Sequence, residues 1–313
     1  MAVSGSKNYS ITRANIIEAA HRKIGVYDAG DAIDGPQTTA SALALNLMIK
    51  EWVARGIDIW LRDDVTLFLQ PDQQSYLLGA TDHFTRTIVA ETTLSGAEAS
   101  GQTVIDVTSS TGMTAADNVG IKMDDNTIHW STIASVDTDT QITIDDATDD
   151  EAASGKKVYA YTTRAVRPTK IVSAFRRDKN NIDTEIRMIG EEEYRQQTNK
   201  GSDGPPVEAW YQPTLDNGTL YVWPVDGGAN TDKVILSAQY YPDDFDAATD
   251  NPQFPIEFGN ALIWGLAAEI ASEHGLTERE QGRLWSIAEA KLNHALDFDV
   301  ENASVEFGLE YQR

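Results

Sequence analysis

The sequence predicts an α+β protein: a helical bundle from both chain ends, an antiparallel β domain, and a small all-β barrel or sandwich module inserted in that domain. Apolar residues recur at helical spacing near both ends, whereas short alternating strands fill the middle. Between residues 88 and 163 the chain becomes rich in Thr, Asp and Ala, and its aromatic residues are Trp130, Tyr159 and Tyr161. With 313 residues, 41% of them hydrophobic, the chain is long enough to bury these cores.

The predicted organisation divides the chain into five consecutive segments. Residues 1–79 form a helical pair and the first β hairpin of the host domain, and residues 80–165 form the inserted all-β module. Residues 166–249 continue the β part of the host domain, and residues 250–298 form a C-terminal helical hairpin. Residues 299–313 form an extended tail.

The first helix is predicted from the residues at its two ends. Thr12 is a suitable N-cap, and Gly25 suits the position that follows a helix. Ile11 and Ile16 have the placement of a hydrophobic staple across the helix start. The inward positions are apolar at helical spacing: Ile16, Ile17, Ala20 and Ile24.

A second helix is predicted from about Thr38 to Arg55, before Gly56. Its apolar residues cover more than one face, so it lies either at the centre of a core or packs on two sides. In so short a helical segment, a second packing surface indicates a neighbouring subunit. The candidate interface residues on this helix are Leu45, Ile49 and Trp52.

Two β hairpins are predicted in the host domain. The first covers residues 59–78 and turns at Pro71 and Asp72. The second joins residues 207–211 to 219–223, where Asn217 and Gly218 are expected to supply the positive φ angles of a tight turn.

The inserted module is predicted from six short β-like runs, at 88–94, 103–108, 119–123, 127–136, 141–144 and 158–161.

The C-terminal helical hairpin is predicted from residues that commonly begin and end helices. Pro255 suits a first helical turn, Gly275 ends that helix, and Thr277 with Glu280 forms a capping box for the next one. The tail that follows loses the helical period, and it is interpreted either as a frayed terminus or as a docking arm. The candidate anchors of such an arm are Val300, Val305, Phe307 and Leu309.

The charge and composition exclude several classes of function. With 49 acidic and 25 basic residues the net charge is -24, which disfavours a grip on nucleic acid through phosphate contacts. This charge indicates either simple solubility or a surface past which DNA travels without binding. The absence of cysteine excludes disulfides and thiolate chemistry. Because neither a signal peptide nor a membrane span is recognisable, we expect a soluble protein made in a cytoplasm.

No motif for catalysis or cofactor binding is recognisable in the sequence. It lacks a phosphate-binding loop, a GxSxG elbow, an HExxH pair and a dinucleotide fingerprint, and its five histidines are scattered. Acidic pairs are abundant, but nearly all fall at predicted turns or helix starts. Asp137, Asp139 and Asp145 are conceivable calcium ligands, although the EF-hand pattern is missing. We therefore expect no enzyme activity, no cofactor and no metal.

Basic residues cluster once, between residues 164 and 179. They are interpreted either as partners for acidic surface on an adjacent identical subunit or as a charged strand edge that resists aggregation. Both interpretations are preferred to DNA recognition. The candidate interface residues in this cluster are Arg167, Arg176 and Arg177.

Three stretches together resemble the head-to-tail adaptor (neck, or tail tubular) family of tailed bacteriophages. IIEAAHRKIGVYDAGDAIDGPQTTASALALNLMIKEWVARGIDIW, residues 16–60, is similar to the family's N-terminal helical pair. FPIEFGNALIWGLAAEIASEHGLTERE, residues 254–280, looks like its returning helical hairpin, and VEAWYQPTLDNGTLYVWPV, residues 207–225, resembles the β hairpin of the longer members. The resemblance covers roughly the first 80 and last 150 residues, and residues 88–163 depart from it.

The resemblance implies a structural virion protein that assembles into a homo-dodecameric ring. Such a ring docks on the portal protein, extends the DNA channel and carries the attachment site for the tail. Its partners would be the portal, downstream tail or nozzle proteins and tail fibre proteins, while DNA passes through without sequence-specific binding. The expected location is the neck of the virion, after synthesis in the host bacterial cytoplasm.

Two other classes of function compete with the adaptor. One is a carbohydrate-binding or hydrolytic tail protein in which Trp130, Trp210, Tyr211 and Trp223 stack on sugar, although aromatic residues on strands usually belong to a core. The other is a monomeric binding module whose acidity mimics DNA.

Overall fold

The structure is a computed structural model of the chain and describes residues 9–28, 30–57, 62–79, 81–178, 180–228 and 231–297. The chain divides into two compact units. Residues 1–61 and 241–313 belong to the first, here called the helical unit, and residues 62–240 form the second, here called the sheet unit.

Five helices and fourteen strands lie within the described residues. The helices are α1 (Arg13–Ile24), α2 (Gly35–Ala54), α3 (Glu191–Gln196), α4 (Gly259–Ile270) and α5 (Glu278–Leu296). The strands are β1 (Arg62–Phe68), β2 (Ser75–Leu78), β3 (Phe84–Thr85), β4 (Ala90–Thr93), β5 (Val104–Asp106), β6 (Asn118–Lys122), β7 (Ile128–Thr138), β8 (Gln141–Ile144), β9 (Lys157–Tyr161), β10 (Lys170–Asp178), β11 (Asp183–Met188), β12 (Glu208–Pro213), β13 (Gly218–Trp223) and β14 (Thr231–Gln239).

The predicted fold class, α+β with a helical bundle from both chain ends, is wrong. The protein is mostly β, with two curled sheets of eight and six strands, and the described helices are short and number five. An amphipathic helix gives a clear periodic signal, whereas a strand of only a few residues gives a weak one. The sequence-based interpretation therefore gave the helices too much weight.

The helix ends of the helical unit follow local sequence signals. Thr12 caps α1 in a capping box with Asn15, and Gly25 ends the helix with a φ of 78°, as predicted. The predicted capping box of α5 is also confirmed, since the Thr277 amide and hydroxyl both donate to the Glu280 carboxylate, at 3.0 and 2.7 Å. The start of α2 differs from the prediction. Asp34 is its N-cap, four residues before the expected start at about Thr38.

The helical unit buries one main apolar core shared by α1, α2, α4 and α5. A close approach of two helices depends on Gly265 in α4, because an added Cβ there would lie 2.7 Å from the Met48 Sδ and 3.3 Å from the Trp52 ring. The core side chains include Ile16, Ile17, Leu45, Ile49, Leu262, Leu266 and Ala295.

The eight-stranded sheet of the sheet unit has the order β2-β13-β12-β11-β10-β14-β1-β3. Its paired strands are antiparallel except β11 and β12, which run parallel. The predicted β12–β13 hairpin is confirmed, but its tight two-residue turn is not, because residues 214–217 form the connection and neither Asn217 nor Gly218 has a positive φ. Gly218 is instead covered by Tyr211, whose hydroxyl would lie 2.0 Å from an added Cβ.

The six-stranded sheet has the order β4-β9-β6-β7-β8-β5, and all its paired strands are antiparallel. In chain order it lies between β3 and β10 of the eight-stranded sheet, and both sheets belong to the sheet unit. It has an apolar core of its own, which includes Val119, Ile121, Ile133, Ile142, Ile144 and Val158.

An aromatic cluster joins the two sheets within the sheet unit. Phe68 of the eight-stranded sheet packs against Trp130 and Tyr159 of the six-stranded sheet, with 5.0 Å between ring centroids in each pair. We call this cluster the sheet joint; it consists of Phe68, Ile128, Trp130, Tyr159 and Tyr161. Beside it, Lys233 of β14 forms a 2.6 Å ion pair with Glu91 of β4.

Candidate functional site

The helical unit contains a cleft of about 500 Å³ between α2, α4 and α5. Its volume lies in the range of small-ligand sites in proteins. We call it the α2–α4–α5 cleft. The lining residues are Met48, Glu51, Trp52, Arg55, Gly265, Glu269, Gly282, Trp285, Ser286, Ala288, Glu289 and Leu292.

The apolar lining of the cleft combines buried and exposed side chains. Met48 and Trp52 of α2 are buried, and they face α4 where Gly265 leaves room for them. Trp285 of α5, by contrast, is 48% exposed. No ring contact involves Trp285 among the described residues, so one indole in the cleft remains open to solvent or a ligand.

Carboxylates outnumber cations along the cleft. Glu51 and Arg55 form an ion pair of 2.5 Å one helical turn apart on α2. Glu269 of α4 and Glu289 of α5 make no ion pair within the described parts of the chain. Burial raises the pKa of Glu269, and the nearby charge of Glu51 raises it further, while Arg55 acts in the opposite direction. The cleft therefore holds an excess of negative charge in partly buried surroundings.

The predicted interface residues of α2 lie inside the helical unit. Leu45, Ile49 and Trp52 are buried in its own core, and Trp52 also lines the α2–α4–α5 cleft. The opposite face of α2 instead carries Leu43 and Leu47, which are 61% and 60% exposed. The predicted subunit interface on α2 is thus the face that α1 and α4 already cover.

The predicted interface residues of the basic cluster bind the chain itself. Arg167 donates to the carbonyl oxygen of Thr214 at 2.7 Å, and Arg176 donates to the carbonyl of Pro206 at 2.9 Å. Arg177 makes two hydrogen bonds to the Asp183 carboxylate, at 2.6 and 2.7 Å. These three guanidinium groups fix neighbouring strands and loops, and their role toward another subunit stays a prediction.

The four aromatic residues considered for sugar binding also contact the chain itself. Trp210 stacks on Tyr221, with 4.8 Å between ring centroids, and Trp130 stacks on His83 at 3.7 Å. The Tyr211 hydroxyl donates to the carbonyl of Pro168 at 2.5 Å, and the Trp223 Nε1 donates to the carbonyl of Asn199 at 2.8 Å. We find no specific support for sugar stacking in these contacts.

The acidic residues considered for calcium do not form a metal centre in the part of the chain that the structure describes. No group of three or more His, Asp or Glu side chains there could hold a metal ion. Asp137, considered for calcium, accepts hydrogen bonds from Ser135 and Thr143. Asp145 is bonded to Thr132. The candidate portal-docking residues Val300, Val305, Phe307 and Leu309 lie outside the described residues.

No motif in the sequence predicts the α2–α4–α5 cleft. Its residues come from three helices, and no motif connects them. Trp285 is the one signal of the cleft in the sequence of α5. It is a large aromatic residue that lies off the buried face formed by Leu284 and Ala288.

No protein-family model matches the chain, and no curated protein matches its sequence. None of the helices in the described ranges has both the length and the apolar character needed to cross a bilayer.

Proposed function

We propose that this chain is a structural subunit of the neck of a tailed phage, a head-to-tail adaptor. It would form a ring of identical copies on the portal protein, extend the DNA channel and provide the attachment site for tail, nozzle or fibre proteins. The proposal rests on the resemblance in three stretches of the sequence. The structural observation that carries it is the exposed pair Leu43 and Leu47 on α2, within the first of those stretches.

The two leucines suit a contact between copies of the chain. They are four residues apart on one helix, so their side chains lie next to each other on the same face. Burial of one leucine side chain stabilises an interface by about 1.5–3 kcal/mol. A pair repeated at every contact around a ring therefore supplies a substantial apolar contribution.

The electrostatics suit a DNA conduit rather than a DNA-binding protein. The net charge of -24 opposes phosphate contacts, and the basic residues Arg167, Arg176 and Arg177 are engaged within the chain. A ring of this composition would let DNA pass with little adhesion.

The proposal is tested by mass measurement and electron microscopy of the full chain, alone and mixed with the portal protein of its phage. We expect ring-sized assemblies at least in the presence of portal. Leu47→Glu should weaken assembly at least about tenfold, because a charge replaces an exposed leucine that the proposed interface would bury. Leu215→Glu changes a leucine that is 90% exposed in the β12–β13 connection, and this variant should assemble normally. Monomers alone under both conditions would contradict the adaptor function.

A further inference from the structure

We propose that the α2–α4–α5 cleft binds an arginine or lysine side chain from a basic peptide segment of a partner protein. This inference does not depend on the adaptor function, since it concerns the chemistry of one cleft. It is carried by the cavity, its open indole and its unbalanced charges.

The size and walls of the cleft fit a long cationic side chain. A volume of about 500 Å³ accommodates an arginine or lysine side chain together with adjoining peptide. Met48, Trp52 and Leu292 offer apolar surface for the methylene stem, while carboxylates meet the charged end.

The exposed indole of Trp285 offers a face for a cation. Ammonium and guanidinium groups are attracted to the face of a tryptophan ring when they lie within about 6 Å of its centre. The same unit already uses this interaction, since the Lys23 Nζ lies 5.0 Å from the centroid of Trp264. Trp285 has no such partner among the described residues.

The charge balance of the cleft is completed by one or two added cations. Glu51 already has Arg55 as its partner, whereas Glu269 and Glu289 have no ion pair in the described ranges. An anionic or neutral ligand would leave these carboxylates uncompensated, so charge complementarity favours a basic segment. Burial in the cleft strengthens such contacts relative to open surface.

The test uses the full chain and acetyl-tetraarginine amide as the probe, with acetyl-tetraglutamine amide as the neutral control. Isothermal titration calorimetry should give tighter binding of the arginine peptide. Trp285→Ala should weaken that binding about threefold to tenfold through loss of the aromatic face. The double variant Glu269→Gln/Glu289→Gln should weaken it to a similar extent.

A charge-matched variant separates the cleft from general attraction to an acidic protein. Glu192→Gln/Glu278→Gln removes two exposed carboxylates outside the cleft and should bind the arginine peptide as the parent does. Circular dichroism checks that each variant is folded. Equal binding by the parent and all variants would show general electrostatic attraction and overturn the proposal. Failure of the parent to prefer the arginine peptide would overturn it as well.

Discussion

The sheet joint and the α2–α4–α5 cleft both have tryptophan and charged side chains in or beside them. They differ in whether these side chains have stacking or ion-pair partners within the described residues. In the sheet joint, Trp130 is stacked on His83. The adjacent Lys233, whose side chain is only 4% exposed, is paired with Glu91 and lies 5.4 Å from the Tyr159 ring. Each of these polar groups has a partner from the same chain.

The cleft differs because Trp285, Glu269 and Glu289 have no such partners among the described residues, although Glu51 is paired with Arg55. Trp285 is half exposed, and Glu269 is held near Glu51, where both burial and like charge raise its pKa. Groups that lower stability are often retained where they bind something else. The comparison indicates that the joint serves folding and the cleft serves binding, and four substitutions test it.

The largest effect is expected in the sheet joint. Phe68→Ala should lower the free energy of unfolding by about 3–5 kcal/mol, because it leaves a cavity between two sheets. Phe175→Ala, at a partly exposed position of β10, should lower it by about 1 kcal/mol or less. Denaturant unfolding of both variants measures the difference. Similar losses would show that the joint has no special importance for stability.

The next effect concerns the ion pair beside the joint. Glu91→Ala should lower the free energy of unfolding by about 2–3 kcal/mol, less than for a fully buried pair because Glu91 is partly exposed. Although burial raises the pKa of Glu91, Lys233 and Lys157 outweigh it and lower the pKa below 4.5. The pair's contribution is therefore present above pH 4.5 and declines as the pH falls further.

Glu185→Ala is the matched control for the ion pair. Glu185 is exposed on β11, so its removal should change stability by no more than about 0.5 kcal/mol in the same unfolding measurement. Equal effects of the two alanine substitutions would mean that Lys233 does not depend on Glu91.

A smaller, pH-dependent effect is expected at His83. Burial, and then the charge of Arg164, lowers the pKa of His83 from 6.5 to about 3. Between these values the unfolded chain binds a proton that the folded chain does not, so stability falls as the pH falls. His83→Gln should flatten this dependence when unfolding is measured from about pH 7 to about pH 4. His294→Gln, at an exposed position of α5, should leave the dependence unchanged.

The smallest effect is expected in the cleft and has the opposite sign. A raised carboxyl pKa means that the folded chain disfavours the charged form, so this penalty is present at neutral pH and disappears as the pH falls. Glu269→Gln should therefore raise the free energy of unfolding at neutral pH by about 0.5 kcal/mol. Glu289→Gln, at an exposed position, should leave it nearly unchanged. A clear loss of stability in Glu269→Gln would contradict the assigned role of the cleft.

Sequence reasoning succeeded where the determining contacts are local. Thr12 is predictable as an N-cap from its residue type, and the Thr277–Glu280 capping box is predictable because its two residues are only three positions apart. The β12–β13 hairpin was predicted from a turn signal, but the purpose of Gly218 was misread. Tyr211 packs over that glycine, and no local pattern states that an aromatic ring needs this space.

Sequence reasoning failed where distant residues decide. The two apolar faces of α2 were recognised, yet the pattern could not tell that Leu45 and Ile49 face the core while Leu43 and Leu47 face outward. The cleft was missed for the same reason, since α2, α4 and α5 meet only in the folded unit. The predicted fold class is wrong because many short strands carry less periodic signal than amphipathic helices do.

The place where the chain leaves and rejoins the eight-stranded sheet bears on how the protein can change in evolution. The Ala165 amide donates to the carbonyl of Phe84 at 2.7 Å, and the Thr85 hydroxyl donates to the carbonyl of Thr163 at 2.9 Å. The intervening six-stranded sheet thus begins and ends at one point of its host. Segments with adjacent ends are readily exchanged between proteins. Recombination could therefore replace this module and keep the host sheet, provided that the new module also covers Phe68.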